Sequence, residues 1–244
     1  LQVSVKVQAV MQRVSGRSRL LRGWMMLALG WAWQGAIAAQ QTPHLIVQSV
    51  TDELVLAIQQ FRPTYETAPD QFYAQVGQII SPVIDFGGFS RAVMGEYGTS
   101  QYLRQLDSDQ ARKRHLDRYQ RFTAAVKARM VQTLSKGLMT FSGEQIEVVP
   151  ADAASQELVK QRRPVSVTQL IYRRGEQPLA VNYKLRYYNQ GDDWRMINVV
   201  LNNINLGKQY RTEFNSKLAE FGGDLDKVID YWAHAGGEDV SAQR

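Results

Sequence analysis

The chain has 244 residues, 44% hydrophobic and 21% charged, a composition that excludes the disordered and fibrous classes. It has no cysteine, which removes disulfides, thiolate catalysis and cysteine-bound zinc together; His44, His115 and His234 are too scattered to suggest a histidine metal site. The formal charge is +6, but Lys6, Arg13, Arg17, Arg19 and Arg22 all lie in the first 38 residues, which hold no acidic group. The remaining 24 basic and 23 acidic groups nearly balance, so nucleic acid is not an expected partner.

The first element is a leader. Four arginines precede the apolar run from Gly23 to Trp33, and Ala36-Ile37-Ala38 supplies the small residues of a signal-peptidase site. Residues 1–38 therefore read as a secretory signal peptide, with Met11 as initiator and residues 1–10 as an upstream extension. The expected mature protein is exported and begins near Ala39.

Thr42-Pro43 supplies a cap and a first-turn proline, and Leu45, Ile46, Val50, Leu54, Ile58 and Phe61 follow at helical spacing. Pro69-Asp70 opens a second helix that Pro82 stops, and Asp85 caps a third carrying Phe86, Phe89, Val93 and Met94. After Asp107-Ser108-Asp109-Gln110, apolar residues from Leu116 to Phe141 keep a 3–4 spacing: one long helix, or two meeting end to end. The period then changes to that of strands over residues 145–149, 165–172, 180–188 and 194–206, joined by turn-rich segments at 174–178 and 189–193. Two helices follow, separated by Gly222-Gly223, and residues 236–244 read as a flexible polar tail. The order predicts one α+β domain over 39–235, with helices packed on an antiparallel sheet of about four strands.

Chemistry-bearing motifs are sparse. Gly88-Phe89-Ser90-Arg91-Ala92 approaches a nucleophile elbow but ends in alanine, and no P-loop, dinucleotide fingerprint or zincin motif occurs. Asp85 and Asp192 are the carboxylates that an acid–base enzyme reading would nominate. Arg112-Lys113-Arg114, Arg162-Arg163 and Arg173-Arg174 are basic clusters suited to solvent, phosphate headgroups or an acidic partner. The strands carry an apolar face: Val165, Val167 and Ile171 on one, Val181, Tyr183, Leu185 and Tyr187 on the next, Ile197, Val199 and Leu201 on the last. Such stripes either fill a core or line a lipid-sized cavity.

Two stretches resemble the periplasmic phospholipid-binding component of the Mla pathway, the toluene-tolerance family. Ile84-Asp85-Phe86-Gly87-Gly88-Phe89-Ser90-Arg91-Ala92-Val93-Met94-Gly95 is similar to one family motif. Trp194-Arg195-Met196-Ile197-Asn198-Val199 through Asn203-Ile204-Asn205-Leu206, then Tyr210-Arg211 and Phe214, is similar to a second. Asn198 stands where the family usually has aspartate, and Asn203 replaces a glycine. The resemblance implies an NTF2-like fold with a deep apolar pocket, no cofactor and no metal. It also implies a non-enzymatic phospholipid carrier between outer and inner membranes that maintains outer-membrane lipid asymmetry. The implied partners are phospholipid, an inner-membrane ABC transporter with an MCE-type ring, and an outer-membrane lipoprotein–porin complex; a monomer is expected.

On that basis the helical walls of the pocket are expected at Phe86, Phe89, Val93, Met94, Met130 and Leu134. The strand walls are expected at Val148, Val167, Ile171, Val181, Tyr183, Leu185, Ile197 and Val199. Tyr187, Arg173 and Arg174 are the expected headgroup or partner contacts. The competing readings are a periplasmic adaptor or chaperone with a filled core, and an enzyme in an NTF2-like cone.

Overall fold

The computed structural model describes residues 41–173 and 175–234; the leader, Arg174 and residues 235–244 lie outside the described residues. Thr42 accepts from the Leu45 amide and Pro43 takes the first turn, so helix α1 begins where the sequence signals it and runs Pro43–Phe61. Helix α2 (Pro69–Ile80) and α3 (Phe86–Met94) follow, with Asp85 accepting from the Gly88 amide at 2.7 Å as the α3 cap. A short α4 (Ser100–Gln105) precedes α5 (Asp109–Met139), which is one uninterrupted helix of 31 residues capped by Ser108.

The sheet is antiparallel throughout, in the order β1 (Gln145–Val148), β2 (Val165–Tyr172), β3 (Leu179–Tyr188), β4 (Asp193–Leu201), β5 (Ile204–Asn205). It therefore has five strands where about four were expected. The stretch read as one strand over 194–206 is two, because Asn202 and Asn203 both adopt left-handed backbone (φ 49° and 67°) and turn the chain between them. Asparagine accepts that conformation better than most residues, which is how Asn203 stands in for a glycine. Helix α6 (Ala153–Lys160) joins β1 to β2 and was not anticipated, although Asp152 caps it by accepting from the Ser155 amide at 2.7 Å. Helices α7 (Leu206–Glu220) and α8 (Leu225–His234) complete the described chain, separated by Gly222 and Gly223 at positive φ.

Three apolar clusters hold these elements. The first is purely helical and joins α3, α5, α7 and α8 around Phe122, Phe214 and Trp232. The second packs Ile46 and Val47 of α1 onto Val165, Val167, Leu185, Tyr187, Trp194 and Met196 of the sheet. In the third, Ala57 and Ile58 of α1 meet Phe72, Val76, Ile79 and Ile80 of α2 and Val131 of α5. No strand residue enters the third cluster, so α1 packs on the sheet with its first half and on helices with its second.

One further contact fixes the helical layer to the sheet. Met196 donates to the Val83 carbonyl at 2.7 Å and accepts from the Asp85 amide at 2.9 Å, so residues 83–85 lie along the edge of β4 and launch α3 away from it. Opposite this contact β4 bulges: Lys184 pairs with Asn198 and Leu185 with Met196, which leaves Ile197 without a partner.

Candidate functional site

The register assigns one side chain in two to the face that α1 covers. That inner face carries Val165, Val167, Gln169 and Ile171 of β2 and Leu179, Val181, Tyr183, Leu185 and Tyr187 of β3. On β1 it carries Ile146 and Val148, and on β4 Trp194, Met196, Val199 and Leu201. The half toward the β3–β4 hairpin is filled: Val167 and Leu185 have no exposed surface, and Ile46 and Val47 of α1 lie against them. The half toward the β2–β3 hairpin is different. Ile146, Ile171, Leu179, Val199 and Leu201 belong to none of the three clusters, and Leu201 is 37% exposed. On the helical side Leu54, Leu134, Leu138 and Phe141 are likewise only half buried.

A polar chain marks the boundary between these halves. Tyr183 donates through its hydroxyl to Gln169 Oε1 at 2.8 Å, and Gln169 Nε2 donates to Thr51 Oγ1 at 2.6 Å. Thr51 in turn donates to the Val47 carbonyl at 2.7 Å. Gln169 is only 4% exposed, yet both ends of its amide are satisfied, which is what makes a glutamine tolerable on an apolar face. Burial pushes the Tyr183 hydroxyl well above its ordinary pKa, so it remains a neutral donor. Neither Gln169 nor Thr51 was among the sequence candidates. The signal was present: a two-residue period puts Gln169 between Val167 and Ile171, a polar group at a core position.

The expected wall residues do not form one surface. Phe89, Val93, Met94 and Met130 pack in the first cluster against α5, α7 and α8, because α3 leaves the sheet edge at Met196 and turns its apolar stripe to the helices. Phe86 and Leu134 lie in the third cluster. Val148, Val167 and Leu185 belong to the second cluster, and Tyr183 packs at its margin. Ile197 does not share a face with Val199 as expected, since the bulge at Lys184/Leu185 makes Met196 the buried residue in its stead. Ile171, Val181, Tyr183 and Val199 do come together on the loosely packed half of the inner face, Val181 buried and the other three half buried.

The expected headgroup contacts are separated as well. Tyr187 is 8% exposed, stacks edge-on against Trp194 at 5.4 Å, carries the Arg162 guanidinium over its ring and donates to Asp192. It lies at the β3–β4 hairpin end of β3, whereas Arg173 lies in the β2–β3 loop at the other end of the ladder, so the two do not flank one opening. Arg173 pairs with Glu176 at 3.6 Å in the β2–β3 loop, and Arg174 is outside the described residues. Asp85 and Asp192, the acid–base candidates, are both engaged structurally. Asp85 caps α3 and accepts from Tyr188, while Asp192 sits in an exposed turn beside Arg162.

The motif residues build a joint, not a wall. Asn198 donates to Asn205 Oδ1 at 3.0 Å and accepts from the Gly207 amide at 3.1 Å, tying β4 to the start of α7. Tyr210 of α7 meets Phe89 of α3 edge-on at 5.6 Å, and Asp85 with Tyr188 ties α3 to β3.

Two concavities stand out, and neither is the expected large pocket between sheet and helices. A groove of about 750 Å3 lies between α2, α5 and α8, floored by Gly77, Ala124, Ala128 and Val131, and contains none of the expected wall residues. A second, of about 460 Å3, lies between the start of α1 and the β1–α6 segment and includes Val148. Among the described residues no helix is long and apolar enough to cross a membrane, and no cluster of His, Asp and Glu is placed to hold a metal.

These features define an α+β protein whose helices cover one face of an antiparallel sheet incompletely. The chain belongs to the MlaC protein family, whose model matches residues 48–234. It is 32% identical over 216 residues to the toluene tolerance protein ttg2D of Pseudomonas putida, an alignment covering 88% of this chain and 90% of that protein. Its fold is similar to that of a phospholipid-binding protein from Ralstonia solanacearum solved in complex with a phospholipid. That similarity has a TM-score of 0.63 and 17% identity, and it covers 81% of this chain and 97% of the other.

Proposed function

We propose that this protein is a periplasmic, non-enzymatic phospholipid carrier that shelters acyl chains against the loosely packed half of the inner sheet face. In this reading it shuttles lipid between the outer and inner membranes and so maintains outer-membrane lipid asymmetry. Its partners are an inner-membrane ABC transporter with an MCE-type ring and an outer-membrane lipoprotein–porin complex. The observation that carries the reading is the apolar stripe of Ile146, Ile171, Leu179 and Val199, which continues beyond the packed core on a face otherwise covered by helix. The packing of helices on one face of an antiparallel sheet supports it, as do family membership, the phospholipid-bound relative in fold and the export signature read in the leader.

The energetics explain why such a carrier needs an enclosing face and little else. Each buried methylene is worth about 0.8 kcal/mol, so two acyl chains of roughly 14 methylenes contribute on the order of 20 kcal/mol. A soluble carrier has to match that burial or the lipid stays in its bilayer, whereas a charged headgroup loses little by remaining in water. Such a site binds by hydrocarbon area and discriminates weakly among headgroups.

Native mass spectrometry of freshly purified protein, followed by organic extraction, tests the reading. Stoichiometric phospholipid is the expected result, and lipid-free protein would overturn it. In Ile171→Asp and Val199→Asp, bound lipid is expected to fall while circular dichroism remains that of a folded chain.

A further inference from the structure

The hydrogen-bonded chain from Tyr183 through Gln169 to Thr51 crosses the space between sheet and helix α1 at one level only. On one side of it Val167 and Leu185 are fully buried, and Ile46 and Val47 of α1 fill the interface. On the other side, α1 turns its apolar residues to α2 and α5, and the sheet continues through Ile171 and Val199, which are only half buried and belong to none of the three clusters. We propose that Tyr183, Gln169 and Thr51 form the floor of the acyl site and set the longest chain it accepts. The inference rests on the carrier reading above and adds a determinant of selectivity to it.

The physical case is a comparison of two burials. Hydrocarbon entering from the open side gains free energy with each methylene until it reaches the polar bar. To pass further it must separate part-buried hydrogen bonds centred on Gln169, which is 4% exposed, and leaving those groups unpaired costs more than one further methylene returns. Beyond the bar there is no room, since the side chains there already touch. The bar is also stiff. The Tyr183 hydroxyl and both ends of the Gln169 amide are in use, and the Thr51 hydroxyl both accepts and donates. Tyr183 stands between Val167 and Val199 on its neighbouring strands, so its ring is shared by the filled half and the loosely packed one. A tail is therefore stopped at a fixed depth. Chains longer than that depth leave their excess methylenes outside and gain nothing from them.

The test is competition among phosphatidylglycerols that differ only in acyl length, from lauroyl to stearoyl, exchanged into the full chain and counted by native mass spectrometry. For the natural sequence, occupancy is expected to rise with chain length to a limit and then level off. Tyr183→Ala opens the floor and should move that limit to longer chains, with about a fourfold preference for each methylene newly accommodated. Val181→Phe, which enlarges a buried side chain directly across from Gln169 on the loosely packed side, should move the limit to shorter chains. A limit unchanged in the folded variants would overturn the proposal and leave the polar chain as a clamp on α1. Should Tyr183→Ala fail to fold, Val181→Phe decides alone: a limit equal to that of the natural sequence overturns the floor. Lipid-free natural protein would instead sink the carrier reading, and the floor with it, so the two failures are distinguishable.

Discussion

Single side chains in this molecule carry consequences out of proportion to their size where charge or amide groups are buried. The Arg129 side chain is 9% exposed, pairs with Glu213 at 2.7 Å, and lies over the Trp232 ring at 4.5 Å. Removing only its partner strands a guanidinium among aromatic rings, so Glu213→Ala is expected to cost about 3 kcal/mol in urea denaturation. Asn198 gives a subtler case. Its amide donates to the same Asn205 oxygen that caps α7 by accepting from Lys208. An aspartate at this position would lose that donor and set a carboxylate against the cap oxygen. Asn198→Asp is thus expected to lower stability by about 1 kcal/mol, and adding Asn205→Ser should recover it, as measured by thermal melting.

Asp226 supplies the pH dependence. Its hydrogen bond and ion pair with Arg118, aided by Arg121, hold its carboxyl below the ordinary value of 3.8. A depressed folded-state pKa contributes stability that is complete above the unfolded value and lost as pH falls through the folded one. The melting difference between the natural chain and Asp226→Asn should therefore be constant from neutral pH down to about pH 5 and shrink progressively below pH 3.8.

At the level of elements, the turns and joints decide more than the strands they connect. The β4–β5 hairpin depends on two consecutive left-handed residues, Asn202 and Asn203. A β-branched residue cannot hold that conformation without strain, so Asn203→Val is expected to lose about 1–2 kcal/mol, whereas Asn203→Gly should be neutral or better. Gly98 is constrained differently. A Cβ there would fall 2.2 Å from the Arg91 carbonyl oxygen, a backbone atom that cannot rotate aside. Gly98→Ala is expected to destabilise by about 2 kcal/mol or more, which chemical denaturation would detect. The helices and β2 were legible because caps and apolar spacing are local. Helix α6 was missed because its few apolar residues follow a cap, Asp152, that stands in a polar stretch resembling a loop. The split of the last strand was missed because the Asn-Asn turn sits inside an apolar run.

Across the described residues, the division of the sheet face into a filled and a loosely packed half governs how the protein responds to change. A charge placed at Val167 or Leu185, both fully buried against α1, is expected to unfold the protein; one at Ile171 or Val199 is expected to leave it folded and lower its lipid content. Comparing circular dichroism with extracted lipid for the four variants separates these effects. The three clusters explain why the stripes of α3, α5 and the strands do not form one continuous surface. Each stripe is apolar in the same way, yet α3 faces α5, α7 and α8, while β2 and β3 face α1.

The amino-acid sequence by itself determined the class of fold, the longer helices and most strands, the two apolar faces of β2 and β3, and the motifs that proved to join α3, β4 and α7. Those properties follow from neighbours within a few residues, where period and capping act. Only the tertiary structure decided which half of the sheet is filled, that Met196 and not Ile197 is buried, and that Gln169 reaches Thr51, 118 positions away. Burial depends on what a distant element covers, and the apolar pattern of a strand is the same whether a helix, a lipid tail or nothing lies against it.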